Sequence, residues 1–147
     1  MRKAAISASA FALVAPLLLV GTASQANAAT SCYASSCTGL AAASTTCVND
    51  AEIIYSVNII VQGYASGNVQ LKYSPSCRAT WARVIGNKGE IASVTKPSLV
   101  EYCTSSGVDG TGCNTAMIND ANMKSEAYGY VYLGGYGGTA FAVTPTF

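Results

Sequence analysis

The chain contains no histidine. Ser-His and Cys-His nucleophile systems are therefore impossible, because each needs an imidazole to take up the nucleophile's proton. Acid–base chemistry is left to the carboxylates Asp50, Glu52, Glu90, Glu101, Asp109, Asp120 and Glu126. Two well-spaced acids suffice for glycoside hydrolysis, but no motif singles out a pair, and all of them read as solvating surface charges. The expectation is a protein that is not an enzyme and uses no cofactor.

The cysteines, Cys32, Cys37, Cys47, Cys77, Cys103 and Cys113, are the other reactive groups. A metal site would want close Cys-x2-Cys or Cys/His spacing, and the chain has neither. An even number of cysteines in a small exported chain reads instead as a disulfide framework. Cys103 and Cys113 enclose Gly107, Gly110 and Gly112 and are expected to pair locally. One further bridge is expected to tie the N-terminal arm to Cys77. Sequence does not choose among the other pairings.

Export is read from the N-terminus. Arg2 and Lys3 are followed by an apolar run from Phe11 to Val20 and then by Ala26-Asn27-Ala28. A basic start, an apolar centre and a small-x-small cleavage signal make a secretory signal peptide, residues 1–28. The run is about half the ~20 residues that a membrane helix needs. Ala29-Thr30-Ser31 before Cys32 does not fit a lipoprotein, and Thr144-Pro145-Thr146-Phe147 carries no anchor signal. A secreted, extracellular protein is expected. Without Arg2 and Lys3 the basic residues fall one short of the seven acidic ones. That near-neutral balance argues against nucleic acid or an anionic membrane as partner, since both need clustered Lys and Arg.

The elements that must carry any site are strands. Residues 29–50 are rich in Ala, Ser, Thr and Gly and poor in core formers, and read as an extended, cysteine-containing arm. Residues 51–147 read as one β-rich domain. From Glu52 to Gln62, Ile53, Tyr55, Val57, Ile59 and Val61 alternate with Ser56, Asn58 and their neighbours, and β-branched residues at period two signal a strand. A turn over Gly63–Asn68 and the alternation of Val69, Leu71 and Tyr73 complete a hairpin. Further strands are expected over Arg78–Ile85, Glu90–Val94, Leu99–Cys103, Lys124–Leu133 and Thr139–Val143, with a turn at Asn87-Lys88-Gly89. Ala116-Met117-Ile118 is a short apolar patch. Turns recur about every ten residues, which points to an all-β fold, a small antiparallel β-sandwich or barrel stapled by disulfides.

Aromatic and arginine residues give the candidate binding surfaces. Tyr128, Tyr130 and Tyr132 share one face of their strand, with Tyr136 in the glycine-rich run beyond. Rigid amphipathic rings suit contact surfaces and also stack on sugars, although cross-strand packing uses them too. Trp81, Arg78 and Arg83 form a second group, because Trp and Arg dominate interface hot spots. The structural alternative makes Trp81 a core anchor with Arg83 beside it, stacked or paired with Glu52 or Glu90.

The stretch Val69-Gln70-Leu71-Lys72-Tyr73-Ser74-Pro75-Ser76-Cys77-Arg78-Ala79-Thr80-Trp81-Ala82-Arg83-Val84 resembles the signature of the YjfA-type family of small secreted bacterial proteins, a domain of unknown function. Lys72 stands where that family usually has Arg. Cys37-x-Gly39, Cys47, Asp50-Ala51 and the run Ala116–Asp120 extend the resemblance over residues 32–120. Cys103, Cys113 and the tyrosine-rich C-terminus look like additions. The resemblance implies a secreted β domain and brings no active site. Taken together, these features lead to a secreted, non-enzymatic protein-binding module, such as an adaptor in an extracellular antibacterial assembly. A carbohydrate or cell-wall binding module, or an inhibitor presenting the Cys103–Cys113 loop to a secreted hydrolase, are the alternatives.

Overall fold

The computed structural model describes residues 31–86, 90–97, 99–105, 112–132 and 139–147. The expected signal peptide over residues 1–28, the expected turn at Asn87-Lys88-Gly89, Gly107, Gly110 and Tyr136 lie outside the described residues, as does the side chain of Tyr132.

The first sheet is built from β1 (Glu52–Val61), β2 (Tyr64–Ser74) and β3 (Ala79–Gly86), each antiparallel to the next. Two short strands, β6 (Cys113–Asn114) and β7 (Ile118–Asn119), pair with the far side of β3. The β1–β2 hairpin is tighter than the sequence suggests. Only Gln62 and Gly63 form its turn, at φ 51° and 85°. Two successive positive φ values match the twist of the flanking strands, so residues 64–68 join β2 instead of looping. In β1 a register shift lies between Ile53, opposite Lys72, and Tyr55, opposite Leu71. The extra residue reverses the alternation, and Ile53 faces outward, 54% exposed, instead of sharing a face with Tyr55.

The second sheet has the order β5-β4-β8-β9, all antiparallel, from β4 (Ile91–Lys96), β5 (Leu99–Thr104), β8 (Glu126–Tyr132) and β9 (Thr139–Val143). The two sheets pack as a sandwich. Ile59, Val69, Leu71, Ala82, Val84 and Ile118 of the first meet Ala92, Val94, Ala127 and Ala142 of the second. Each large aliphatic side chain buried here contributes about 1.5–3 kcal/mol of transfer free energy. Alternation follows from this layer: the positions facing the other sheet are mainly apolar, and the opposite positions form the outer faces.

The N-terminal arm is not extended. It coils into three short 3-10 turns, Ala34–Cys37, Ala42–Ser44 and Thr46–Asp50. Disulfides Cys32–Cys37 and Cys47–Cys77 close it on itself and on the sheet, and Cys103–Cys113 forms the expected local bridge. The small side chains let the arm lie flat over the outer face of the first sheet. There Cys37, Ala42, Cys47 and Cys77 pack with Ala79, Trp81 and Met117 in a second hydrophobic cluster. Ala34 N–H donates to the Cys77 carbonyl, Gly39 N–H to that of Met117, and Met117 N–H to that of Leu40. Asp50 ends the arm by accepting from Ser74 Oγ at 2.6 Å and from Ser76 N–H at 2.8 Å. Among the described residues no helix is long and apolar enough to cross a membrane.

Candidate functional site

Strand β8 places Ala127 and Gly129 against the core and turns Tyr128 and Tyr130 outward. The pairing register extends their positions into rows across the sheet. Tyr102, Ser93, Tyr128 and Val143 form one row. Thr104, Ile91, Tyr130 and Phe141 form the next, and Val100, Thr95 and Glu126 lie on the other side of the first. Tyr102 is 74% exposed and Phe141 65%, and Val100 and Val143 are exposed as well. Tyr128 and Tyr130 are half-buried, with nearly parallel rings, centroids 6.3 Å apart and planes 9° from each other. The outer face of the second sheet is thus rich in aromatic and aliphatic side chains, without a Lys or Arg in any of these rows.

Charge is confined to one end. Glu126 accepts a hydrogen bond from Tyr128 Oη at 2.8 Å and another from Thr146 Oγ1. The Thr146 and Tyr128 hydroxyls together hold its carboxyl below the usual range, and Glu126 in turn raises the Tyr128 phenol. Beside them Thr95, Lys96, Pro97 and Lys124 line an open pocket of about 340 Å³.

The other candidate residues divide differently. Trp81 is 1% exposed beneath the arm, so it anchors the second cluster and offers no free contact face. The cation over its ring is Lys72, whose Nζ lies 5.5 Å from the centroid. This corrects the expectation that Arg83 would stack there or pair with Glu52 or Glu90. Glu90 is buried instead beside Gly67 and Gly86, where Ser66 Oγ donates to it at 3.4 Å. Arg83 does share the face of Trp81, further along β3. Arg78 sits in the turn before β3 at φ 49° and donates to Asn122 Oδ1 at 3.2 Å, well apart from the tyrosine rows. Backbone pairing carries Tyr132 along β8 opposite Thr139.

Sequence reasoning missed Tyr102, Val100, Phe141 and Val143. Their alternation was readable, but β5 and β9 carry apolar residues on both faces, so period two alone could not say which side looks outward. The four sulfurs of Cys32, Cys37, Cys47 and Cys77 lie within 4.8 Å of one another. All four are committed to the two bridges, and a disulfide sulfur has no thiolate to offer a metal.

Residues 35–128 match the model of a family described as "Protein of unknown function (DUF2690)". No curated protein and no solved structure matches the chain significantly.

Proposed function

Since the chain belongs to the DUF2690 family of proteins of unknown function, we propose its role from its surfaces: it is a secreted, non-enzymatic protein-binding module, an adaptor within an extracellular assembly. The observation that carries this reading is the outer face of the second sheet, where Tyr102, Tyr128, Tyr130 and Phe141 stand on three of its four strands in two adjacent rows. Contiguous exposed apolar surface marks interaction sites. Aromatic-rich, charge-poor patches with a polar rim have the composition of interface cores. Glu126, Lys96 and Lys124 supply such a rim at one end. The partner is another protein presenting an apolar, uncharged surface.

Secretion belongs to the same proposal. It rests on the signal segment and on three disulfides, which persist in oxidising compartments. Kinship with the YjfA-type proteins rests on residues 69–84. The arm is coiled and packed on Trp81 instead of extended, and the proposal places the adaptor contact on the sheet face. The test is recovery of a stoichiometric partner from the producing culture's supernatant by the processed protein. A lone monomer with no such partner contradicts the adaptor role.

A glycan is the second reading. The parallel rings of Tyr128 and Tyr130, next to a pocket with a carboxylate and two ammonium groups, give a stacking platform with hydrogen-bonding groups at its edge. Sedimentation with peptidoglycan distinguishes it. Binding that survives the Tyr128→Ala/Tyr130→Ala variant removes that surface from consideration.

A further inference from the structure

The outer face of the first sheet holds a different site. Lys72 and Trp81 are register partners on adjacent strands, and Arg83 follows Trp81 on the same face. The coiled arm forms the opposite wall with Ala41, Ala42, Ala43 and Val48, and Asn114 and Thr115 close the end. Together they enclose about 170 Å³. The two cations share this cleft, and its lining holds no carboxylate. Arg83 Nε is buried and makes no hydrogen bond. Thr115 Oγ1 is already engaged, bonded to Ala82 N–H and to the Ala116 carbonyl.

We propose that this cleft binds a carboxylate carried on a short aliphatic stem. Adjacent like charges repel and are costly when partly removed from water. A bound anion converts that repulsion into two attractions. Desolvation, first, and the nearby Arg83 already push the Lys72 ammonium towards losing its proton. The guanidinium offers planar, paired donors that fit a carboxylate. The methyls of Ala41 and Ala43 and the Val48 side chain present apolar surface to the stem. A phosphate would turn unpaired oxygens towards that same wall, which is unfavourable. Pockets for drug-sized ligands measure roughly 300–1,000 Å³, so this smaller one suits a group of side-chain size. The carboxylate has two possible sources, an acidic residue of a polypeptide or a free small acid.

The chain has one tryptophan, and it lines the cleft, so its emission reports binding directly. The disulfide-intact protein is titrated with glutarate, with the side-chain carboxylate of N-acetyl-glutamic acid α-amide, with glutaramide and with inorganic phosphate. Amide shifts of Asn114 and Thr115 give a second readout. The proposal expects saturable responses to one or both carboxylates and none to glutaramide. Response to the glutamic acid amide alone assigns a polypeptide source, and response to glutarate alone a free acid. Arg83→Met and Lys72→Met should each weaken binding by about tenfold or more, the effect of losing a charged hydrogen bond, with unchanged far-ultraviolet dichroism. Arg83→Lys, which keeps charge but loses the fork, should fall between. Silence in both readouts, phosphate binding as tight as carboxylate, or full binding by both Met variants would overturn the proposal.

Discussion

Gly129 and Ile59 meet across the sandwich with no room for a side chain between them: a β-carbon on Gly129 would lie 2.8 Å from Ile59 Cδ1 and 2.8 Å from Val69 Cβ. This close approach seats β8 on the first sheet. It also fixes the outward aim of Tyr128 and Tyr130 on either side of the glycine. The Gly129→Ala variant must displace Ile59 or the β8 backbone. Overpacking of this kind costs about 1–3 kcal/mol, read as a lower midpoint in chemical denaturation. An unchanged midpoint would mean that the two sheets separate more easily than this packing implies.

The Cys47–Cys77 bridge spans 30 residues and holds the arm over Trp81. A cross-link closing a loop of that length is expected to contribute about 3–4 kcal/mol, chiefly by restricting the unfolded chain. The Cys47→Ser/Cys77→Ser variant should lose stability on that scale. Its Trp81 emission should shift to longer wavelength as water reaches the ring. Loss of stability without the emission shift would mean that hydrophobic packing alone keeps the arm in place.

Two aspartates give opposite pH signatures. The Ser74 hydroxyl, aided by the Ser76 N–H, lowers the Asp50 carboxyl below its ordinary value of 3.8, with burial opposing. A depressed folded value means that Asp50 stabilises the fold above the unfolded value, and that this contribution is lost as pH falls through the folded one. Asp50→Asn should therefore cost at most about 1 kcal/mol at neutral pH, since solvent screens this part-exposed carboxyl, and the gap to wild type should narrow as pH falls below about 4.

Burial is the largest effect on Asp120, and it raises the carboxyl despite the Ser125 hydroxyl and the charges of Arg78 and Lys96. Here the stabilising contribution is present below the unfolded value and is lost as pH rises through the folded one. Asp120→Asn keeps an acceptor for Ser125 Oγ, which donates to Asp120 at 2.8 Å. The variant should be as stable as wild type or more so at pH 7, and should lose that advantage in acid. Thermal unfolding across pH 3–8 checks both substitutions, and parallel curves for wild type and either variant would contradict these assignments.

The strands were legible because β-branched and aromatic residues alternate along them, and Thr139–Val143 falls where its pattern places it. The arm was not legible. Its Ala, Ser and Thr carry no periodicity, and its conformation depends on Trp81 and Met117, which lie far away in sequence. The outward turn of Ile53 depends on a bulge that two adjacent isoleucines disguise. Half of the tyrosine face could be read from the period-two spacing of Tyr128 and Tyr130. Tyr102 and Phe141 join it only through cross-strand register, which no local pattern encodes.

The most direct measurement compares two double variants in recovering a partner from the producing culture's supernatant. Tyr102→Ser/Phe141→Ser alters the outer face of the second sheet. Ile53→Ser/Tyr64→Ser alters equally exposed residues, 54% and 80% accessible, on the β1–β2 hairpin. All four side chains are largely in water, so both proteins should keep close to wild-type stability. The account predicts that the first variant loses the stoichiometric partner while the second retains it. Retention by the first, or loss by the second alone, would contradict it.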